Sequence, residues 1–293
     1  MRKLLLFSAI AFATSFIACK EKGPAINFGG GNSVSDTTYT KTPDAPVQRK
    51  VLIEEFTGAK CTNCPDARVQ LKALTDANPG RVIVMELHPD DHPLGHPIEG
   101  LSKFDFTEPD ISDLFKGIFR GYFPAGIPAA GIDRAVNGGE ILQKRAEWSN
   151  MVNTRLNAAS PIKLTLTNTY DAANASGTIK VNVSYTSTVT TKNYISIAVI
   201  EDNIVDAQEF PDRIDTFYNF KHVFRKLYTT AGGTEILGTI PTKEAGRVYE
   251  GSYKYALNAA WKPENCHIIV WVHNNDANSK EVLQAEQIEV KTP

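Results

Sequence analysis

Two cysteines separated by two residues are the strongest chemical feature of this sequence. The segment CTNC, from Cys61 to Cys64, follows a short apolar strand pattern and opens a helix pattern, with Pro65 where its missing N–H costs nothing. Unpaired N–H groups and the positive end of the helix dipole favour a thiolate at Cys61, and the cation of Lys60 adds to this effect. Cys64, one helical turn later, then stands where a resolving thiol is needed.

Three uses of this pair are open from the residue types. Thiol–disulfide exchange is favoured over a structural disulfide without turnover, which an exported protein could equally contain. A zinc site is the least favoured, because no second CxxC or CxxH follows at a useful spacing. Cys266 precedes an apolar run and is expected to be a buried core residue.

The N-terminus predicts export and a lipid anchor. An uncharged apolar run follows Arg2 and Lys3, which is the layout of a secretory signal. Cys19 comes directly after a small residue at the end of that run, as in lipoprotein signals, where the thiol receives a diacylglyceryl group. We therefore predict a signal peptide over residues 1–18 and lipidation of Cys19. Phe16 stands where such signals usually have leucine, so a secretory signal with a chance cysteine is the alternative.

Charge and composition limit the partners. The chain has 31 basic and 33 acidic residues, a formal net charge of −2, and loses two cations on cleavage. This balance supplies no basic surface for nucleic acid, and no later segment is apolar enough to cross a bilayer. The predicted partners are a membrane, through lipid on Cys19, and other proteins, with no cofactor. Residues 19–48 are rich in small and polar residues after the lipidated cysteine and predict a flexible tether.

The rest of the chain divides into two patterns. Residues 49–160 alternate apolar strands with helices, which predicts an α/β domain with a buried sheet. Residues 161–293 contain about seven β-rich segments, several alternating, which predicts an all-β sandwich of immunoglobulin-like type, with the boundary near Ser160. The predicted elements of the first region are strands beginning at Val51, Val82 and Ala129 and helices over 65–77, 110–119 and 139–158.

The segment from Val51 to Leu74 resembles a thioredoxin-fold motif: strand, loop, CxxC and helix in that order. Glu55 stands six residues before Cys61, where thioredoxins carry a buried acid that helps to deprotonate the second cysteine. The run GIPA, which contains Pro128, resembles the loop that presents a cis-proline to the disulfide, so a cis peptide bond is expected there.

The thioredoxin resemblance implies a catalytic set of Cys61, Cys64, Glu55 and Pro128. The sequence departs from the motif just before the first cysteine, where Lys60 stands in place of the usual tryptophan, and again at position 57, where a threonine replaces another aromatic residue. The surface that docks substrates is therefore altered.

Three histidines after the second strand are weak candidates for metal ligands. His88, His92 and His96 recur at four-residue intervals with two aspartates among them. Prolines within the stretch prevent a helix that would align the rings, so a polar loop at the rim of the cysteine pair is favoured and no metal site is predicted. Arg134 is expected to be a surface or ion-pair residue, and the basic residues of 221–226 are expected on the solvated face of a strand.

The segments FTGAKCTNCPDA and GIPAAGIDR, with the N-terminal signal and the β-rich second half, resemble the Bacteroidetes outer-membrane lipoprotein family known by its size of about twenty-eight kilodaltons. The resemblance implies outer-membrane residence, a thioredoxin-like domain and a role in adhesion or host contact, without a defined enzymatic activity. Two functions stay open: thiol–disulfide exchange on extracytoplasmic proteins, and a surface adhesin or receptor whose CxxC is only structural. The side of the membrane that the protein faces is open as well.

Overall fold

The computed structural model of the chain describes residues 33–123 and 125–291. The predicted signal peptide, the predicted lipidation site at Cys19 and the first part of the predicted tether lie outside the described residues. Within the described ranges, no helix combines the length and the apolar character that a membrane span requires.

The described elements are three α-helices, two short 3₁₀-helices (Pro93–Gly95 and Pro263–Asn265) and seventeen strands, most of the strands lying in the second half. The helices are α1 (Cys64–Ala77), α2 (Pro109–Gly117) and α3 (Arg145–Leu156). The strands are β1 (Ser33–Thr40), β2 (Val47–Gln48), β3 (Val51–Phe56), β4 (Val82–Leu87), β5 (Ala129–Ile132), β6 (Leu142–Lys144), β7 (Ala159–Ser160), β8 (Ile162–Asp171), β9 (Ser176–Tyr185), β10 (Asn193–Glu201), β11 (Ile204–Glu209), β12 (Ile214–Phe220), β13 (Val223–Leu227), β14 (Thr234–Ile236), β15 (Arg247–Ala256), β16 (Cys266–His273) and β17 (Val282–Glu289).

A nine-stranded mixed sheet forms the centre of the molecule. Its order is β17-β16-β10-β13-β4-β3-β5-β6, with β14 paired to β10 beside that path. β3 and β4 run parallel and are connected through α1, whereas β5 is antiparallel to β3 and β6 is antiparallel to β5. Every residue of β3 and β4 is buried, as expected for parallel strands that are covered on both faces.

Different elements cover the two faces of this sheet. On one face, Ala67 and Leu71 of α1 and Trp148 and Val152 of α3 form a core with the apolar residues of β3, β4 and β5. On the other face, α2 packs with a larger core that contains both cysteines of the CxxC. The helices thus enclose the strands that lead to the cysteine pair.

The second half is β-rich, as predicted. A four-stranded sheet of order β1-β15-β9-β8 packs against β10, β16 and β17 of the main sheet. Alternating residues of β9, such as Ile179, Val181 and Val183, point into this core with Ile197 and Ile268 from the facing layer. Two facing layers result, one of which belongs to the nine-stranded sheet.

The main sheet crosses the predicted domain boundary near Ser160. β13 pairs with β4 in parallel, and the Glu86 N–H donates a hydrogen bond of 2.8 Å to the His222 carbonyl oxygen. One core joins Met85 of the first region to Ile200 and Trp271 of the second. Without β13, β4 would be an edge strand with unpaired N–H and C=O groups. The predicted division into two domains near Ser160 is therefore corrected: the two regions share one sheet and one core.

The predicted flexible tether over 19–48 is also corrected in its second part. Residues 33–40 form β1, which is antiparallel to β15, and residues 47–48 pair with Ala159 and Ser160. β1 contains few large apolar side chains and is held mainly by backbone pairing. Its composition therefore did not indicate a strand.

The helix predicted over 139–158 begins later than expected. Gly138 and Gly139 have φ values of 61° and 89° and form a turn, after which Leu142–Lys144 become β6. The helix starts only at Arg145, because the residues before it form the strand that pairs with β5.

Candidate functional site

The cysteine pair lies at the predicted junction between a strand and a helix. Cys61 and Cys64 form a disulfide, and Cys64 is the first residue of α1. The Cys64 N–H donates to the Cys61 carbonyl oxygen at 3.2 Å, and the Cys61 N–H donates to that of Gly58 at the same distance. Cys61 is 1% exposed and Cys64 is 0% exposed, so both cysteines are almost completely buried.

The expected cis-proline is present beside the disulfide. The peptide bond between Ile127 and Pro128 is cis, directly before β5. The Cys61 sulfur lies 3.8 Å from the Ile127 carbonyl oxygen. The structure therefore brings together Cys61, Cys64 and the loop of Pro128.

The histidine-containing segment covers the cysteine loop from one side. The Lys60 N–H donates to the Leu94 carbonyl oxygen at 3.1 Å. A Cβ at Gly58 would collide with the same carbonyl group, so only glycine allows the two backbones to approach this closely. The segment thus forms the rim of the pair, as the interpretation of a polar loop implied.

The hairpin of β11 and β12 covers the cysteine loop from another side, and no sequence pattern predicted it. The Gln208 side-chain amide donates to the carbonyl oxygens of Gly58, Ala59 and Cys61 at 3.1 to 3.3 Å. The Glu209 N–H donates to the Ala59 carbonyl oxygen at 2.8 Å. The loop before Cys61 is therefore fixed to a hairpin from the second half of the chain.

Glu55 is buried on the strand that leads to the pair. It is 0% exposed, and neither of its carboxyl oxygens makes a hydrogen bond of acceptable geometry in the described residues. Burial raises the pKa of Glu55 well above its ordinary value, and the neighbouring Glu86 raises it further. Arg68 and the nearby Thr57 hydroxyl oppose that shift. Burial and the adjacent carboxylate therefore both favour the protonated form of Glu55.

Replacement of Glu55 by glutamine should stabilise the protein progressively as pH rises. The folded chain holds the proton, so unfolding releases it, and the stability associated with this group falls between the ordinary pKa of 4.5 and the raised folded pKa. Glutamine cannot ionise, so the advantage of Glu55→Gln should grow by about 1.4 kcal/mol per pH unit within that window. Urea unfolding of both chains across the range measures this, and a difference that stays constant with pH would contradict it.

The three candidate histidines occupy three different environments. His88 is fully buried with its ring 5.0 Å from that of Phe106, and burial lowers its pKa well below the ordinary value. The His92 ring packs against another aromatic ring, whereas His96 lies 3.8 Å from Asp90. Across residues 33–123 and 125–291, no group of three His, Cys, Asp or Glu side chains is arranged to hold a metal ion.

The remaining candidates are structural. Cys266 is a free, buried cysteine, as predicted, and burial raises the pKa of its thiol. Arg134 is an ion-pair residue, also as predicted, but it is buried and donates two hydrogen bonds of 2.7 Å to Glu54. The solvated strand face expected over 221–226 is wrong at Arg225, which is buried against Glu201 at 2.8 Å.

Sequence reasoning missed three polar residues of the site: Arg68, Glu86 and Gln208. Arg68 lies one turn after Cys64, and its guanidinium donates to the Glu86 carboxylate at 2.8 Å and to the Gln208 side-chain oxygen at 2.7 Å. A signal was present for two of them, because Arg68 and Glu86 interrupt otherwise apolar buried patterns, and buried charges usually have partners.

Comparison with known proteins points to one family. The family model described as outer membrane protein Omp28 matches residues 118–293, which is more than half of the chain and begins after the cysteine pair. No curated protein sequence matches.

Two solved structures share the fold. HBP35 of Porphyromonas gingivalis superposes with a TM-score of 0.67 at 14% identity, over 84% of this chain and 77% of that one. Protein AGR_C_4864 of Agrobacterium tumefaciens superposes with a TM-score of 0.51 at 13% identity, over 85% of this chain and 98% of that one. At such identities the likeness concerns the fold alone.

Proposed function

The chain belongs to the outer membrane protein Omp28 family, and from that premise we propose that it is a lipoprotein, anchored through Cys19, that exchanges disulfides on extracytoplasmic proteins. Cys61 attacks, Cys64 resolves, Glu55 moves the proton and Pro128 positions the substrate chain.

One observation carries this proposal: the Cys61 sulfur lies beside the cis peptide bond of Ile127 and Pro128, on a strand–loop–helix unit. The parallel strands β3 and β4, joined by α1, and the antiparallel β5 and β6, followed by α3, support a thioredoxin-like region. Glu55, buried without a hydrogen-bond partner in the described residues, supports a proton-transfer role.

In the oxidising direction, the exchange reaction starts from the disulfide between Cys61 and Cys64. A substrate thiolate attacks the Cys61 sulfur, the bond between Cys61 and Cys64 breaks, and Cys64 leaves as a thiolate that takes the proton of Glu55. A second substrate thiolate then attacks the substrate sulfur in the mixed disulfide and releases the Cys61 thiolate. The substrate dithiol becomes a disulfide and the protein pair gains two electrons. In the reverse direction Cys61 attacks a substrate disulfide and Cys64 resolves the mixed disulfide.

Burial of the pair adds a requirement to this proposal. Cys61 is 1% exposed, and its loop is hydrogen-bonded to the segment that contains Leu94 and to the hairpin that contains Gln208. A substrate sulfur must approach along the axis of the disulfide bond, so the segments packed around the pair must move before exchange. Local opening of this kind costs less than global unfolding.

Reduction of insulin by dithiothreitol tests the proposal. The full chain should accelerate the reaction, and Cys61→Ser should leave only the rate of dithiothreitol alone. Cys266→Ser is the matched control, because it removes a buried thiol outside the site and should keep the activity. Equal rates for the full chain and Cys61→Ser would refute exchange at this pair.

The near-complete burial of both cysteines favours a second function, a surface adhesin or receptor in which the disulfide is structural. That function requires binding of a host protein by intact cells, with the same affinity after Cys61→Ser and without exchange activity in the isolated chain. Absence of host-protein binding by intact cells that display the folded, unsubstituted chain would exclude it.

A further inference from the structure

We propose that Glu86 and Arg68 are positioning residues of the exchange site, which hold Glu55 as its protonated acid and connect it, through Gln208, to the loop of Cys61. The inference rests on the exchange function proposed above. It assigns roles to residues that do not touch the disulfide and that the cysteine motif does not indicate.

Two buried carboxyl groups share a single cation. Glu55 on β3 stands directly opposite Glu86 on the parallel strand β4, and both are at most 2% exposed. The Arg68 guanidinium donates to Glu86 at 2.8 Å, whereas both Glu55 oxygens lack a partner within the described residues. Two adjacent carboxyl groups cannot both ionise cheaply beside one guanidinium, so the proton stays on Glu55, the member of the pair that does not receive a hydrogen bond from Arg68.

Arg68 is held in place from three directions. Besides Glu86, its guanidinium donates to the Gln208 side-chain oxygen at 2.7 Å and to the Thr57 hydroxyl at 3.2 Å. The same group lies 4.8 Å from the centre of the Phe220 ring and packs against a second aromatic ring of β12. A planar fork with several donors can satisfy this set, which a lysine could not.

Gln208 continues the connection to the cysteine loop. Its side-chain oxygen accepts from Arg68, and its amide group donates to the carbonyl oxygens of Gly58, Ala59 and Cys61. The acid pair, the first turn of α1 and the loop before Cys61 are thus parts of one buried hydrogen-bonded network. A change in Glu86 is transmitted to Cys61 through only two side chains.

The ionisable groups that face Glu55 define the expected pH response. They are Glu86 from β4, Arg68 from α1 and Tyr218 from β12, while His88 faces the same arginine. If Glu86 becomes neutral, the Arg68 cation has one remaining carboxyl to pair with, which is Glu55. Glu55 then ionises at lower pH and can no longer supply a proton to the leaving Cys64 thiolate.

The pH profile of insulin reduction by the full chain tests this role. One limb of this profile should report the ionisation of Glu55. In Glu86→Gln that limb should move to lower pH by roughly one to three units, which is the effect of one adjacent opposite charge on a carboxyl pKa. Glu55→Gln should abolish that limb, and Glu86→Asp should restore the original position. Glu54→Gln is the matched control: it alters a buried ion pair on the same strand but the opposite face, and should leave the limb in place.

A second measurement keeps the inference separate from the proposed function. Infrared titration reports the protonated carboxyl of Glu55, identified by its loss in Glu55→Gln, whether or not the chain reduces insulin. The expected result is a protonated Glu55 at neutral pH in the full chain that becomes ionised in Glu86→Gln. Unchanged titration in Glu86→Gln would overturn the inference, whereas a normal infrared result in a chain without exchange activity would refute only the proposed function.

Discussion

Residues 49–160, produced without the second half of the chain, should fail to fold cooperatively. Their strand β4 would lose its partner β13, and the core around Phe56 and Met85 would lose Ile200, Phe224 and Trp271. Exposure of a fully buried large apolar side chain costs about 1.5–3 kcal/mol, and the net stability of a domain is only about 5–15 kcal/mol. Uncovering several such residues therefore exceeds what the fragment can tolerate.

Circular dichroism during thermal unfolding measures this expectation. A chain that comprises residues 33–293 is the matched control, because it retains every described strand and should melt in one transition. A cooperative melt of the fragment 49–160, with dispersed amide signals in its nuclear magnetic resonance spectrum, would contradict the shared core.

Arg134→Met should destabilise the protein by roughly 3–5 kcal/mol, the usual cost of removing one partner of a buried ion pair. Arg134 and Glu54 are both fully buried, and two hydrogen bonds of 2.7 Å join them. The guanidinium also lies 5.5 Å from the centre of the Trp271 ring, so the pair connects β3 to the second half of the sheet. Methionine would leave the Glu54 carboxylate without its cation.

Urea denaturation at neutral pH gives the free energy of unfolding for this comparison. Lys72→Met is the control, because Lys72 and Asp76 form an exposed ion pair one turn apart on α1 and such pairs contribute at most about 1 kcal/mol. A loss for Arg134→Met no larger than that of Lys72→Met would show that the buried pair is not needed for stability.

Local patterns were sufficient for the elements around the cysteine pair. The apolar runs from Val51 and Val82 and the amphipathic segment between them predicted β3, α1 and β4 near their observed bounds. The cis bond before Pro128 and the burial of Glu55 were also correct expectations. These features follow from residue types within short segments, which a sequence displays directly.

Long-range features could not be predicted in the same way. The pairing of β13 with β4 joins residues more than a hundred positions apart, and nothing local at Val223 indicates its partner. The hairpin of β11 and β12 was not predicted, because Asp206 and Gln208 are buried polar residues that interrupt the alternation of apolar and polar residues in β11. The same hairpin is hydrogen-bonded to the loop of Cys61, so the low exposure of Cys61 was not predicted either.

The most direct test of disulfide exchange is to trap the mixed disulfide. Cys64→Ser leaves Cys61 without its resolving thiol, so incubation with a peptide disulfide should join half of that peptide to Cys61 and release the other half as a thiol. Mass spectrometry of the digested chain should find the peptide on Cys61, and Cys61→Ser should carry none. An adduct only on Cys266, or equal labelling of both variants, would contradict the account.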